Sequence, residues 1–228
     1  MYREWVSRVP HTVVWQRLVP SDDSVQRVLP DGCMDLIWSD GSLFVAGPDT
    51  AAQLPTVSAG TSYTGLRFAP GNGPAVIGLP AHELRDQRVP LAQLWPATHV
   101  ADLVEQLQAA ANPARALEEI AAGRLRRAGP PDKMMAEVAR RLRAGMPVAA
   151  VAAAVNVSER QLHRRCQTAF GYGPKTLVRI LRMNRAVDLA RTGRPFAAVA
   201  AATGYADQAH LAREVKALAG VSLGVLIN

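Results

Sequence analysis

The residues best suited to chemistry lie in two short stretches of the C-terminal half. Ser158-Glu159-Arg160-Gln161-Leu162-His163-Arg164 opens a helix with long polar side chains. Ser158 and Gln161, three residues apart, form a capping box in which each satisfies the other's free backbone N–H. With Leu162 and Cys166 inward at i, i+4, residues Arg160, Gln161, His163 and Arg164 face outward on the first two turns. Forty-nine residues later the pattern returns: Asp207 is placed to cap, Leu211 and Val215 face inward, and Gln208, His210, Arg213 and Lys216 face outward. Such side chains hydrogen-bond to base edges in a major groove about 12 Å wide. Arg165, Lys175 and Lys216 are the candidates for phosphate contacts. The chemistry implied is recognition of a polyanion.

Each outward face needs elements to hold it. Val148 to Val155, opened by Pro147, reads as a short helix of small residues, and Asn156-Val157 turns the chain into the Ser158 helix. Pro195 to Thr203 and the Gly204-Tyr205 turn repeat this before Asp207. Short helix, tight turn and capped second helix make a helix-turn-helix. Between the two units, Pro174 to Thr192 reads as one basic helix with Lys175, Arg179, Arg182, Arg185 and Arg191. At 1.5 Å per residue it spans roughly 28 Å, close to the roughly 34–36 Å between successive major-groove faces. A further helix, capped by Asp132, runs to Arg143.

Charge supports the division. Residues 129–228 carry 15 Lys and Arg against 6 Asp and Glu, whereas residues 1–128 carry 11 against 13. A basic module beside a near-neutral one points to a polyanion as partner of the basic part, and with the two helix-turn-helix units that polyanion is double-stranded DNA. The near-neutral half holds turn signals and alternating runs. His11 to Val19, Cys33 to Trp38, Leu43 to Ala46 and Tyr63 to Phe68 read as strands, with a short helix near Pro74 to Gly78 or Ala81 to Arg85. Val100, Leu103, Val104 and Leu107 mark an amphipathic helix with Thr98 as its cap, and Pro113 opens another through Ile120. The fold class is α+β: a β-rich N-terminal domain with connecting helices (1–122), a Gly/Pro/Arg linker (123–131), and an all-α domain of two helix-turn-helix units joined by a long helix (132–228).

No apolar run reaches the roughly 18–20 residues of a membrane helix, and Met1 to Trp5 lacks a signal peptide's apolar core. Two cysteines, Cys33 and Cys166, make no disulfide framework and read as structural thiols in a reducing cytoplasm. Of five histidines, His163 and His210 lie on the outward faces, while His11, His82 and His99 are far apart, so no metal site, cofactor or enzymatic activity is expected.

From Lys133 to Leu226 the chain resembles the AraC/XylS DNA-binding domain. The likeness rests on Val151-Ala152-Ala153-Ala154, Leu162-His163-Arg164, Phe170-Gly171-Tyr172-Gly173-Pro174, Thr203-Gly204-Tyr205, Asp207-Gln208, His210-Leu211 and Gly220-Val221-Ser222. Leu223 stands where that family carries proline, and Cys166, Leu211 and Val215 stand for its aromatics. Leu29-Pro30-Asp31-Gly32-Cys33-Met34-Asp35-Leu36-Ile37-Trp38, Ala46-Gly47-Pro48 and Gly65 to Gly71 resemble the N-terminal domain of a bacterial subgroup of these regulators. The resemblance implies a transcription regulator with RNA polymerase as a further partner. Its N-terminal domain would respond to a small-molecule effector or form a homodimer. Asp35, Trp38, Tyr63, Arg67 and Phe68 are the candidates to line an effector cavity. The alternative is an architectural protein that binds DNA without sequence preference.

Overall fold

The computed structural model describes residues 1–20, 27–55 and 58–227. Strands β1 (Tyr2–Val6), β2 (Thr12–Leu18), β3 (Met34–Ser39), β4 (Ser42–Ala46), β5 (Ser62–Phe68) and β6 (Arg88–Pro90) form one antiparallel sheet in the order β1-β2-β5-β3-β4-β6. The expected strands are all present, joined by β1 and β6 at the edges. β1 carries no buried residue and β6 has only three residues, so neither shows the alternation that marks a strand in sequence.

Alternation divides the sheet into two unlike faces. Val14, Leu36, Leu43, Val45, Leu66 and Phe68 point to one side and are buried. There α1 (Gly73–Ile77), α2 (Ala97–Ala109) and α3 (Pro113–Ala128) cover them, with Val100, Leu103, Leu107, Leu117 and Ala121 in the same core. Glu118 anchors α3 to the β1–β2 hairpin, its Oε1 accepting from Ser7 Oγ at 2.7 Å and from the Arg8 N–H at 2.8 Å. The Trp95 indole N–H donates to the Ile77 carbonyl at 2.8 Å and Arg124 Nε to Val76 at 3.0 Å, so both close the C-terminal end of α1. Two local expectations are corrected here. Helix α2 begins directly after Pro96 with no side-chain cap, so Thr98 lies inside it. Helix α3, capped by Asn112, continues to Ala128 and takes up most of the stretch read as a linker, because the run after Gly123 is rich in helix-forming Arg, Leu and Ala.

The opposite face bears the charge. Cross-strand neighbours Arg67 and Asp35 lie here with Tyr63, Ile37 and Trp15. Trp15 faces Gly65, and a Cβ there would sit 2.2 Å from the indole. The missing side chain lets the ring lie against the sheet, where its N–H donates to Asp35 Oδ1 at 2.6 Å.

The remaining helices build a second core: α4 (Lys133–Arg143), α5 (Val148–Ala154), α6 (Glu159–Phe170), α7 (Pro174–Arg191), α8 (Phe196–Thr203), α9 (Gln208–Ala219) and α10 (Leu223–Ile227). Asp132 caps α4 through the Met134 N–H, the Ser158–Gln161 box caps α6, and Asp207 caps α9 through the His210 N–H. α7 runs through the middle, with Leu177, Ile180, Met183, Ala186 and Val187 buried.

Backbone and burial set two expectations for stability. Gly204 has φ +76°, and a Cβ there meets nothing within 4 Å, so Gly204→Ala costs backbone strain alone. A loss of about 1–2 kcal/mol is expected in chemical denaturation, and an unchanged midpoint would count against the assigned turn. Burial pushes the Asp35 carboxyl up to about 6, over the opposing pull of Arg67. Its pKa is therefore higher folded than the roughly 3.9 of an unfolded aspartate. Stability from this proton is present below about pH 4 and is lost as pH rises through about 6. Asp35→Asn should gain stability relative to the unmodified chain as pH climbs from 4 to 7, and a pH-independent difference would contradict the buried carboxyl.

Candidate nucleic-acid interface and the cavity behind it

The two outward faces are built alike. In the first unit Asn156 turns the chain at φ +55°, and the Val157 N–H donates to Ala152 O at 3.0 Å. In the second Gly204 takes that place, and the Tyr205 N–H donates to Ala200 O at 2.9 Å. Leu162 and Cys166 seat α6 in the core as Leu211 and Val215 seat α9. Burial pushes the Cys166 thiol up to about 12, as expected of a packing group.

Arg160, Gln161, His163, Arg164 and Arg165 are exposed along α6, Lys175 begins α7 exposed, and Gln208, Arg213 and Lys216 are exposed on α9. They are not equally free. Gln161 spends its side-chain carbonyl on the Ser158 N–H at 2.9 Å. The His163 imidazole lies on Gly173, where a Cβ would come within 2.5 Å of the ring. His210 is half-buried: its Nδ1 accepts from the Ala206 N–H at 3.3 Å and its ring meets Tyr205 edge-on. Arg165 reaches Met134 Sδ at 3.4 Å. Among the described residues, the side chains of Arg160, Arg164, Gln208 and Arg213 have no hydrogen-bond or ion-pair partner.

Two arginines of the basic spacer serve a different end. Arg179 grips Glu214 of α9 through Nε at 2.9 Å and a terminal nitrogen at 3.1 Å. Arg182 lies 4.1 Å over the Tyr205 ring and 3.7 Å from the same carboxylate. Hydrogen bonds from Arg179 hold the Glu214 carboxyl below its ordinary range. The group ties α9 to α7 and fixes the second outward helix relative to the first. Sequence reading counted these arginines as charge because their partner lies far along the chain, 35 residues from Arg179.

Among the described residues, hydrogen bonds from the N-terminal half reach the outward helices at their far ends. Arg85 donates to Gly171 O at 3.4 Å, at the end of α6. Arg27 donates to Ala219 O at 2.7 Å and the Ala52 N–H to Leu218 O at 2.7 Å, at the end of α9. These are C-terminal carbonyls that lack partners within their own helices and carry the negative end of the helix dipole. Asn184 of α7 donates to Pro30 O at 2.7 Å, and Gly32 packs on Leu177 and Tyr172.

A cavity of about 640 Å³ opens between the charged face of the sheet and this junction. Of the residues put forward from the sequence, Asp35, Tyr63 and Arg67 line it. Trp38 and Phe68 do not: they sit on the other face, Phe68 in the apolar core and Trp38 packed against it. Period two separates them from their neighbours by one residue each. Sequence reading missed Trp15, Arg17, Arg27 and Arg88 in β2, a loop and β6, and Asn184 from α7. The alternation of β2 places Trp15 and Arg17 together, but only the fold brings α7 opposite them.

Two family models match the chain. Residues 151–227 match a helix-turn-helix domain and residues 4–90 match a domain of unknown function, DUF6597. No curated protein matches by sequence. Among solved structures, an apo variant of ToxT from Vibrio cholerae is 12% identical over 97% of this chain and 98% of its own, with a TM-score of 0.50. A ToxT structure with bound unsaturated fatty acid is 12% identical over 94% of each chain, with a TM-score of 0.48. The C-terminal domain of AraT, a response regulator from Geobacillus stearothermophilus, is 22% identical over 42% of this chain and 84% of its own, with a TM-score of 0.39. The chain thus joins a DUF6597 domain to an AraC-type helix-turn-helix domain.

Proposed function

We propose that this regulator reads a specific DNA sequence by laying α6 and α9 in successive major grooves on one side of the duplex, and that its N-terminal half controls this binding. The observation that carries the reading is the repetition of one capped, outward-facing helix at both ends of α7, with free guanidinium or amide heads on each. Arg160 and Arg164 are the principal readers of the first groove, with Gln161 and His163 beside them. Gln208 and Arg213 read the second, with His210 in support. Arg165, Lys175 and Lys216 anchor phosphates. The smaller side chains Ala209 and Ala212 leave α9 the smoother face, so the first groove carries most of the discrimination.

The domain division we propose sets the sheet and its helices apart from the part that begins at Asp132. The cytoplasm is the compartment and RNA polymerase the further partner of such a protein. Control by an effector is favoured by the cavity at the junction, since an effector alters DNA binding only by favouring one state of the protein over another.

Sites selected from random duplexes by the full chain provide the test. Arg160→Ala with Arg164→Ala should weaken binding to the selected site by about 1–3 kcal/mol for each bidentate pairing with a base that the substitutions remove, and relax selection in one half of the site. Footprints should cover two segments about 10 bp apart. Lys175→Ala should weaken all sequences alike and reduce the slope of log K against log salt by about 0.9. Failure to select any sequence, with affinity intact, would favour the architectural alternative.

A further inference from the structure

The cavity behind the outward helices has walls of unusual chemistry. Five arginines and three aspartates line it, together with Tyr2, Trp15 and Tyr63. Most of this charge is already matched. Arg88 and Asp49 form a two-pronged pair at 2.7 Å. Arg67 stands between Asp31 at 3.5 Å and Asp35 at 3.4 Å, and these carboxylates hold its proton more firmly than usual. Arg191 lies 3.8 Å from Asp188.

Two guanidinium groups are left without an acid among the described residues. Arg27 has only the Ala219 carbonyl. Arg17 has a terminal nitrogen that is closed off from water and makes no hydrogen bond, and desolvation lowers its pKa. A guanidinium nitrogen closed off from water without an acceptor is costly, and an anion beside it removes the cost. On the opposite wall, Asp35 Oδ1 is taken by Trp15 and Arg67, while its Oδ2 accepts nothing among the described residues. That oxygen is an open acceptor for a ligand hydroxyl.

We propose that this cavity binds a small organic anion bearing hydroxyl groups. Its carboxylate or phosphate lies on Arg17 and Arg27, its hydroxyls on the carboxylates around Arg67, and its carbon frame against Trp15 and Tyr63. A hydrocarbon tail is excluded, because it would strip water from the guanidinium and carboxylate groups without replacing their hydrogen bonds. The inference rests on the regulator reading for its purpose and extends it to the class of effector. Arg27 also supplies the link to DNA. The guanidinium that meets the ligand is the one that holds the last carbonyl of α9, so occupancy changes the grip on the second reading helix.

The full chain tests this by calorimetry and thermal shift against a panel of sugar acids and sugar phosphates headed by gluconate and glucose 6-phosphate. Glucose serves as the neutral control and oleate as the apolar anion. Members of the panel should bind and raise Tm, whereas glucose and oleate should not. Arg17→Gln should weaken binding about tenfold or more, the loss expected for a charged hydrogen bond, and Arg17→Lys should recover part of it. Both variants should keep the helical circular dichroism of the unmodified chain. Binding of oleate or glucose as tight as that of the anions, no binding by any member of the panel, or equal binding by Arg17→Gln would overturn the proposal. DNA affinity is read separately. An anion that binds through Arg17 without altering DNA affinity supports the site and refutes effector control. An anion that binds to a chain selecting no DNA sequence supports the site and refutes the regulator reading.

Discussion

Both outward helices hang on α7. Its buried side, from Leu177 to Ala190, packs against α4, α8, α9 and α10, and the Arg179–Glu214–Arg182 group closes its contact with α9. Eighteen residues of helix make a rod of about 27 Å. In the proposed docking, two reading elements on one rod cannot adjust to DNA independently. The spacing between successive grooves must be met by the protein as folded or by bending the duplex, and bending has its own sequence-dependent cost. The polar group at α9 matters more for this than its net energy suggests, since pairs with solvent access contribute only about 0–1 kcal/mol each. Its value lies in geometry, because the fork of Arg179 accepts one orientation of the Glu214 carboxylate.

The same rod explains where the N-terminal half can act. It leaves the outward faces of α6 and α9 uncovered and meets the two helices at Gly171, Leu218 and Ala219, where unpaired carbonyls invite donors. Arg27 and Arg85 supply positive charge where the helix dipole is negative. In the proposed docking, a change at either point is felt along a helix that meets DNA. This fits the charge asymmetry: a near-neutral domain adds little attraction for DNA and can still change the position of a helix that has it.

Where a signal was local, the sequence was explicit. Caps at Asp132, Ser158 and Asp207, the turns at Asn156 and Gly204, and the inward pairs Leu162/Cys166 and Leu211/Val215 all stand within a few residues of the element they define. Strands with one apolar face were legible by alternation, whereas β1 and β6 were not, being edge pieces without a buried face. Trp38 and Phe68 show the limit of choosing ligand residues by type: an aromatic one position from Ile37 or Arg67 belongs to the other side of the sheet. Arg17 shows the converse. Nothing in Gln16-Arg17-Leu18 marks a cavity residue until α7 is packed across from it.

One property of the sheet joins these observations. A single sheet has two faces, and helices α1 to α3 come from the N-terminal half to cover only one. Had the other been apolar, the second half would have sealed it as an ordinary core and left no space. Its row of Val13, Arg67, Asp35, Ala46 and Arg88, in register across four strand pairings, instead sets charges where the two halves meet. Charged groups hold water or ligand better than they pack. The polarity of that face therefore keeps the junction open, and the junction is where Arg27 reaches α9. A sheet with one greasy and one charged face thus makes both the core that folds the N-terminal half and the cavity at its junction with the helical half.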